Sequence, residues 1–317
     1  MANRWTQEQV PDQLGRRAVI TGGNAGLGFE LASLLLAKGA AVTMVSRSAE
    51  RAASAAESLR SAHRGAEVDA VLMEQGSLAS VRHAAADILD RHERVDLLIN
   101  NAGMLGSAER RVSPEGFELT FATNHLGVFA FTGLLIGAMT STPGSRVVTM
   151  SSISNARSRL DFDNLMADTA YDRNGVYSRS KLANLMFAYG LQRRLAAGHA
   201  DTVSLAAHPG QSRTEFTRDL SPLARFLYGP RARWLTGLIM QDKSIGVLSP
   251  ARAATDPAAI GGEYYGPAGP FQLTGYPTRV DSNTQSKDPG AQDALWQASE
   301  RLTGITYPLP PVPGEAH

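Results

Sequence analysis

The chain has 317 residues, 31 basic against 30 acidic for a formal net charge of +1, 43% hydrophobic residues and no cysteine. Balanced charge without a run of like charges argues against nucleic-acid binding. The absence of cysteine excludes disulfides, thiolate metal sites and cysteine nucleophiles, and fits a reducing compartment.

In chain order, the N-terminus Met1–Glu8 lacks the apolar core of a secretory signal, so a soluble cytoplasmic protein is expected. Ala18–Thr21 reads as a strand and Gly26–Ala37 as a helix. Strands at Ala41–Val45 and Val68–Leu72 alternate with helices at Ala49–Ala62 and Leu78–His92. Val95–Ile99 is a strand, followed by a long helix over about 114–140. Its apolar stretch, Leu126–Met139, is short for a bilayer span and reads as a buried helix. Arg146–Met150 is a strand, Val176–Ala196 a helix, Thr202–Ala207 a strand, and Glu263–Tyr265 a last one. Alternating apolar strands and helices predict a single α/β domain: a Rossmann-type, doubly wound parallel sheet of about seven strands with helices on both faces. The domain is expected over residues 1–305, with a proline-rich, irregular tail at 306–317.

Thr21-Gly22-Gly23-Asn24-Ala25-Gly26-Leu27-Gly28 lies where the first strand meets the first helix. Glycines there permit a tight turn and close backbone approach. The helix start then offers free N–H groups to a pyrophosphate. The spacing is Gly-x-x-x-Gly-x-Gly rather than Gly-x-Gly-x-x-Gly. After the second strand the sequence runs Val45-Ser46-Arg47-Ser48, with no acid to grip a ribose 2′-OH. Arg47 can instead bond a 2′-phosphate, giving roughly 10–100-fold preference for NADP(H), unless it is only a solvated loop arginine.

Tyr177 and Lys181 stand four residues apart, on one helix face. An ammonium near a phenol lowers its pKa by roughly 1–3, which suits proton transfer to an alcohol oxygen. Such pairs also occur on solvated helices. Lys181 is one of four lysines against 27 arginines, which hints that a compact ammonium matters there. The seven histidines show no metal-binding spacing. His208, at a strand end, and His125, in the long helix, read as structural.

Together these residues resemble the short-chain dehydrogenase/reductase family over about residues 14–260. The resemblance rests on the glycine motif, Asn100-Asn101-Ala102-Gly103, Ser152, Tyr177-x-x-x-Lys181, Pro209-Gly210 and Thr214. The strings Thr123-Asn124-His125-Leu126-Gly127 and Ser180-Lys181-Leu182-Ala183-Asn184, with the long segment from Ser152 to Tyr177, are similar to the retinol-dehydrogenase-like and WW-domain-oxidoreductase-like subgroup.

The resemblance implies Tyr177 as acid/base, Lys181 on the nicotinamide ribose, Ser152 on the substrate oxygen and Asn124 positioning a relay water. It implies Gly22, Asn24, Gly26, Leu27 and Gly28 around the phosphates, Arg47 at the 2′-phosphate, Glu74 at the adenine, Asn101 at a ribose and Thr214 beside the nicotinamide. Three positions depart from the pattern. Glu74-Gln75 replaces Asp-Leu, Ser212 replaces a valine and Asn155 replaces the subgroup's histidine.

The segment 211–245 mixes Leu, Phe and Trp with arginine and is expected over the site mouth, as a lid, a membrane-surface helix or a subunit contact. The implied activity is NADP(H)-dependent interconversion of a carbonyl and an alcohol on a small, apolar molecule. A homodimer or tetramer paired through the long helices is expected. The competing expectation is a non-catalytic NADP-binding regulatory or interaction protein on the same scaffold.

Overall fold

The computed structural model describes residues 4–210, 243–310 and 312. Among the described residues, eight strands form one sheet in the order β3-β2-β1-β4-β5-β6-β7-β8. They are β1 Arg17–Thr21, β2 Ala41–Ser46, β3 Val68–Leu72, β4 Leu97–Asn100, β5 Arg146–Met150, β6 Val203–Ala207, β7 Tyr264–Pro267 and β8 Pro277–Arg279. The first seven run parallel, and β8 pairs antiparallel with β7. Strand order reverses between β1 and β4, the switch point at which such sheets bind ligands at their carboxyl ends.

The longer helices among the described residues are α1 Gly26–Leu36, α2 Ala49–Ala62, α3 Leu78–Arg91, α4 Leu119–Thr140, α5 Arg173–Ala197, α6 Leu248–Thr255 and α7 Pro289–Thr303. Local chemistry sets several of their ends. The Ser48 and Ser77 hydroxyls accept from the N–H groups of Arg51 and Ser80 at 3.3 and 3.4 Å, capping α2 and α3. Asp172 caps α5 by accepting from the Gly175 N–H at 2.6 Å. Asp288 and Pro289 open α7, and Gly304, at φ 64°, closes it.

Two apolar clusters sandwich the sheet. One gathers Ile20, Leu35, Leu59 and Tyr265, and the other Ile88, Phe131, Leu191 and Trp296. Central strands buried on both faces explain their unbroken apolar runs. Helix α4 is long and apolar and most of its apolar stretch is buried, so this helix spans the core.

The structure adds three details to these expectations. The sheet has an eighth strand: β8 is only three residues long, too short for a periodic pattern, and Pro277 opens it on an edge that tolerates proline. The long helix begins at Leu119 rather than 114, because Gly116 at φ 85° and a Val112–Glu118 bridge turn the chain first. There the Glu118 carboxylate accepts from the N–H groups of Thr120 and Phe121 at 2.9 and 2.6 Å. Finally, α4 is not α-helical throughout: Ala122–Leu126 is a π-turn, with Gly127 N–H bonded to the Ala122 carbonyl.

The chain beyond α7 is docked. Tyr307 is buried against Phe129, Phe187 and Trp296, and its hydroxyl donates to the Phe129 carbonyl at 2.6 Å. Helices α4 and α5 are therefore covered within the chain by α7 and residues 305–309.

Candidate active site

The glycine turn joins β1 to α1. Gly22 and Gly26 adopt φ of 69° and 59°, and Gly22 N–H bonds the Val45 carbonyl at 2.7 Å. A Cβ on Gly28 would overlap the Gly22 carbonyl and lie 2.6 Å from Asn101 Nδ2, so α1 can start this close only with glycine. The Thr21 hydroxyl accepts from the N–H groups of Asn101 and Ala102 at 3.0 and 2.9 Å. Asn101 Nδ2 donates to the Thr21 carbonyl at 2.8 Å. Thr21 thus fastens the loop after β4 to the glycine turn, and the Asn101 side chain braces that turn.

Ala25 precedes α1 and supplies no side-chain cap, leaving the helix start open to an anion. Asn24 and Leu27 sit half-buried on its rim, and Arg47 stands exposed just past β2. This uncapped helix start behind a side-chain-free turn fits the phosphates of a dinucleotide. Glu74 is exposed after β3, with its N–H bonded to Ser80 Oγ at 2.9 Å.

The chemistry-bearing groups converge one strand further on. Ser152 follows β5, is buried, and caps a 3-10 turn by accepting from the Ser154 N–H at 3.3 Å. On α5, Lys181 Nζ lies 5.7 Å from the Tyr177 ring centroid and donates to the Met150 carbonyl at 3.4 Å, two residues before Ser152. Asn124, in the π-turn of α4, accepts at Oδ1 from the Met104 N–H at 2.8 Å. Its Nδ2 donates to the Met104 carbonyl and to Ser180 Oγ, each at 2.9 Å. A Cβ on Gly103 would lie 3.0 Å from Lys181 Nζ and 3.2 Å from Asn124 Oδ1, so both groups close on the loop after β4. Lys181 is buried and Tyr177 half-buried. Thr214, Ser212 and segment 211–242 lie outside the described residues.

Asn155 faces inward, with Nδ2 donating to the Ser152 carbonyl, to Ser151 Oγ at 3.3 Å and to Tyr264 Oη at 3.1 Å. It supports Ser152 from behind. Asn283 Nδ2 contacts the carbonyls of Asn155, Ala156 and Ser158 at 3.0, 3.2 and 2.8 Å, fixing the same turn. No local sequence signal marks this contact, because the two segments lie more than a hundred positions apart.

Both histidines are structural. His208 is buried, with Nδ1 accepting from the Gly210 N–H at 3.2 Å and Nε2 against Gln272 Oε1 at 3.0 Å. His125 is buried among Phe121, Phe129 and Phe187, with Nε2 2.8 Å from Ser299 Oγ. Burial lowers each pKa to about 4.

Residues 16–223 match the family model described as short chain dehydrogenase. Human retinol dehydrogenase 13 is 33% identical over 300 residues, covering 93% of this chain and 86% of that protein. A crystal structure of an uncharacterized protein from Mycobacterium paratuberculosis superimposes with TM-score 0.79 at 33% identity, covering 97% of this chain and 100% of that one. The Pseudomonas aeruginosa RhlG/NADP active-site complex gives TM-score 0.60 at 25% identity, covering 80% and 94%. A family match over most of the sheet, together with a full-length relative, places this chain in the short-chain dehydrogenase/reductase family, within its retinol-dehydrogenase-like subgroup.

Proposed function

We propose that the chain is an NADP(H)-dependent oxidoreductase interconverting a ketone or aldehyde and an alcohol on a small, apolar molecule. The observation that carries this reading is the convergence of Lys181 Nζ on the Tyr177 ring and on the carbonyl that precedes Ser152. NADPH, when bound, supplies hydride to the carbonyl carbon.

The chain's own groups manage the oxygen. Ser152 Oγ and Tyr177 Oη donate hydrogen bonds where negative charge develops, and Tyr177 passes the proton. Lys181, held by the Met150 carbonyl, places its ammonium 5.7 Å from the Tyr177 ring centroid, so positive charge stands near the proton donor. Asn124 is pinned on both sides by Met104, which fixes this wall of the site. The uncapped start of α1 receives the phosphates, and Gly22 and Gly28 admit them closely.

Preference for NADP(H) over NAD(H) is supported by the exposed Arg47 past β2, where an acid would repel a 2′-phosphate. RhlG, a relative of the same fold, is described in complex with NADP. A panel of apolar ketones and aldehydes followed by NADPH absorbance tests the reading, with Tyr177→Phe as the control. Cofactor binding without turnover across the panel would favour the non-catalytic alternative.

A homodimer or tetramer is part of the same proposal, and α7 with residues 305–309 packs on α4 and α5 within the chain, so pairing along those helices would include them. Light scattering on the purified chain measures the state directly.

A further inference from the structure

We propose that Gln75 is a positioning residue for the active site, holding the π-turn that sets Asn124. This rests on the functional reading above. Gln75 is buried just after β3. Its Nε2 donates to the Thr123 carbonyl at 2.7 Å and lies 3.4 Å from the Ala102 carbonyl.

The first bond answers a defect in α4. In an α-helix the Thr123 carbonyl would take the N–H of Gly127, four residues on. In this helix that N–H bonds Ala122 instead, so the carbonyl loses its ordinary donor. Gln75 supplies the replacement from outside the helix. The two segments also meet backbone to backbone, since a Cβ on Gly127 would overlap the Gln75 carbonyl and sit 2.8 Å from its Cγ.

The arrangement favours a dedicated role. Gln75 Oε1 is buried with no hydrogen-bond partner among the described residues, a burden that leucine would not carry. The donor end therefore accounts for an amide at this position. The same Nε2 faces the Ala102 carbonyl, and Ala102 N–H is tied to Thr21 beside the glycine turn. One side chain thus couples the π-turn bearing Asn124, the loop over Lys181 and the strand feeding the phosphate cradle. Leucine would match the volume and leave the Thr123 carbonyl unpaired. Glutamate would match the shape and present oxygen to oxygen.

The test compares wild type with Gln75→Leu and Gln75→Glu. Both variants should keep NADPH affinity within about twofold while kcat falls about tenfold at nearly unchanged KM, the signature of lost positioning. For carbonyl reduction the alkaline limb of the kcat–pH profile, where the acid Tyr177 loses its proton, should move, which loss of packing alone would not cause. Parallel loss of NADPH affinity, kcat and thermal stability would make Gln75 a packing residue and overturn the proposal.

Crystal structures give a readout independent of turnover. In Gln75→Leu, residues 122–126 should relax to α-helical bonding and Asn124 should leave Met104. A π-turn unchanged in that variant overturns the proposal whatever the kinetics. A wild type that reduces no carbonyl while the π-turn still collapses in the variant would sink only the assigned activity.

Discussion

Lys181 Nζ sits 5.7 Å from the centre of the Tyr177 ring, four residues away on α5, and is tethered to the carbonyl of Met150. Removing the phenol oxygen in Tyr177→Phe should lower kcat by roughly 10²–10⁴-fold while leaving NADPH binding close to wild type. Lys181→Arg should fail as well, because a planar guanidinium does not replace a compact ammonium in the space between Gly103 and Met150. Turnover kinetics and fluorescence titration of NADPH check both, and an active Tyr177→Phe would reassign the acid/base.

Arg47→Asp should weaken NADPH by roughly 10–100-fold and leave NADH nearly unaffected, because only the 2′-phosphate meets the new charge. Dissociation constants for the two cofactors decide it. Equal losses would mean that Arg47 is a solvated arginine.

Gly28→Ala places a methyl group against the Gly22 carbonyl and Asn101 Nδ2. Overpacking of this kind typically costs about 1–3 kcal/mol. It should also push α1 off the turn and lower nucleotide affinity by at least about tenfold, or about 1.4 kcal/mol. Urea unfolding and NADPH titration measure the two effects separately.

His125 and His208 make the fold sensitive to acid. Their folded pKa values of about 4 lie below the ordinary 6.5, so the unfolded chain binds protons more tightly. Stability is therefore complete above pH 6.5 and declines as pH falls toward 4. Each histidine should remove about 2 kcal/mol between neutrality and pH 5. Urea midpoints across that window should flatten in His208→Gln, and an identical slope in wild type and variant would contradict the burial argument.

Tyr307→Ala empties a cavity among Phe129, Phe187 and Trp296 and frees the Phe129 carbonyl. Loss of a buried aromatic costs about 3–5 kcal/mol. Removal of residues 305–317 should destabilise the protein at least as much. Thermal melts of the point variant and the truncation check this, and a truncation as stable as wild type would show the docked segment to be dispensable.

Several candidate residues belong to local sequence patterns. The glycine turn, Arg47 past β2 and the Tyr177–Lys181 spacing are local patterns, and local geometry places them. The alternation of strands and helices gave the sheet, because each buried strand declares itself by an unbroken apolar run. The π-turn around Asn124 was illegible, since it changes which carbonyl meets which N–H while leaving the apolar pattern of α4 intact. The start of α4 was misjudged because Gly116 and the Val112–Glu118 bridge override the helical composition of that stretch. The partners of Gln75, Asn283 and His208 lie 48, 128 and 64 positions away, beyond what spacing can disclose.

The docking of α7 and Tyr307 onto α4 and α5 has a bearing on biosynthesis. The hydrophobic cluster beneath α4 and α5 is completed by Trp296, Ile305 and Tyr307, which are synthesised after its other buried members. Until then the nascent chain carries the whole glycine turn while the helix bearing Tyr177 and Lys181 lacks its outer cover, the stage at which chaperones and aggregation compete for it. A stop codon shortly before Trp296 would thus leave Ser152, Tyr177 and Lys181 encoded, yet deny α5 the packing that covers it.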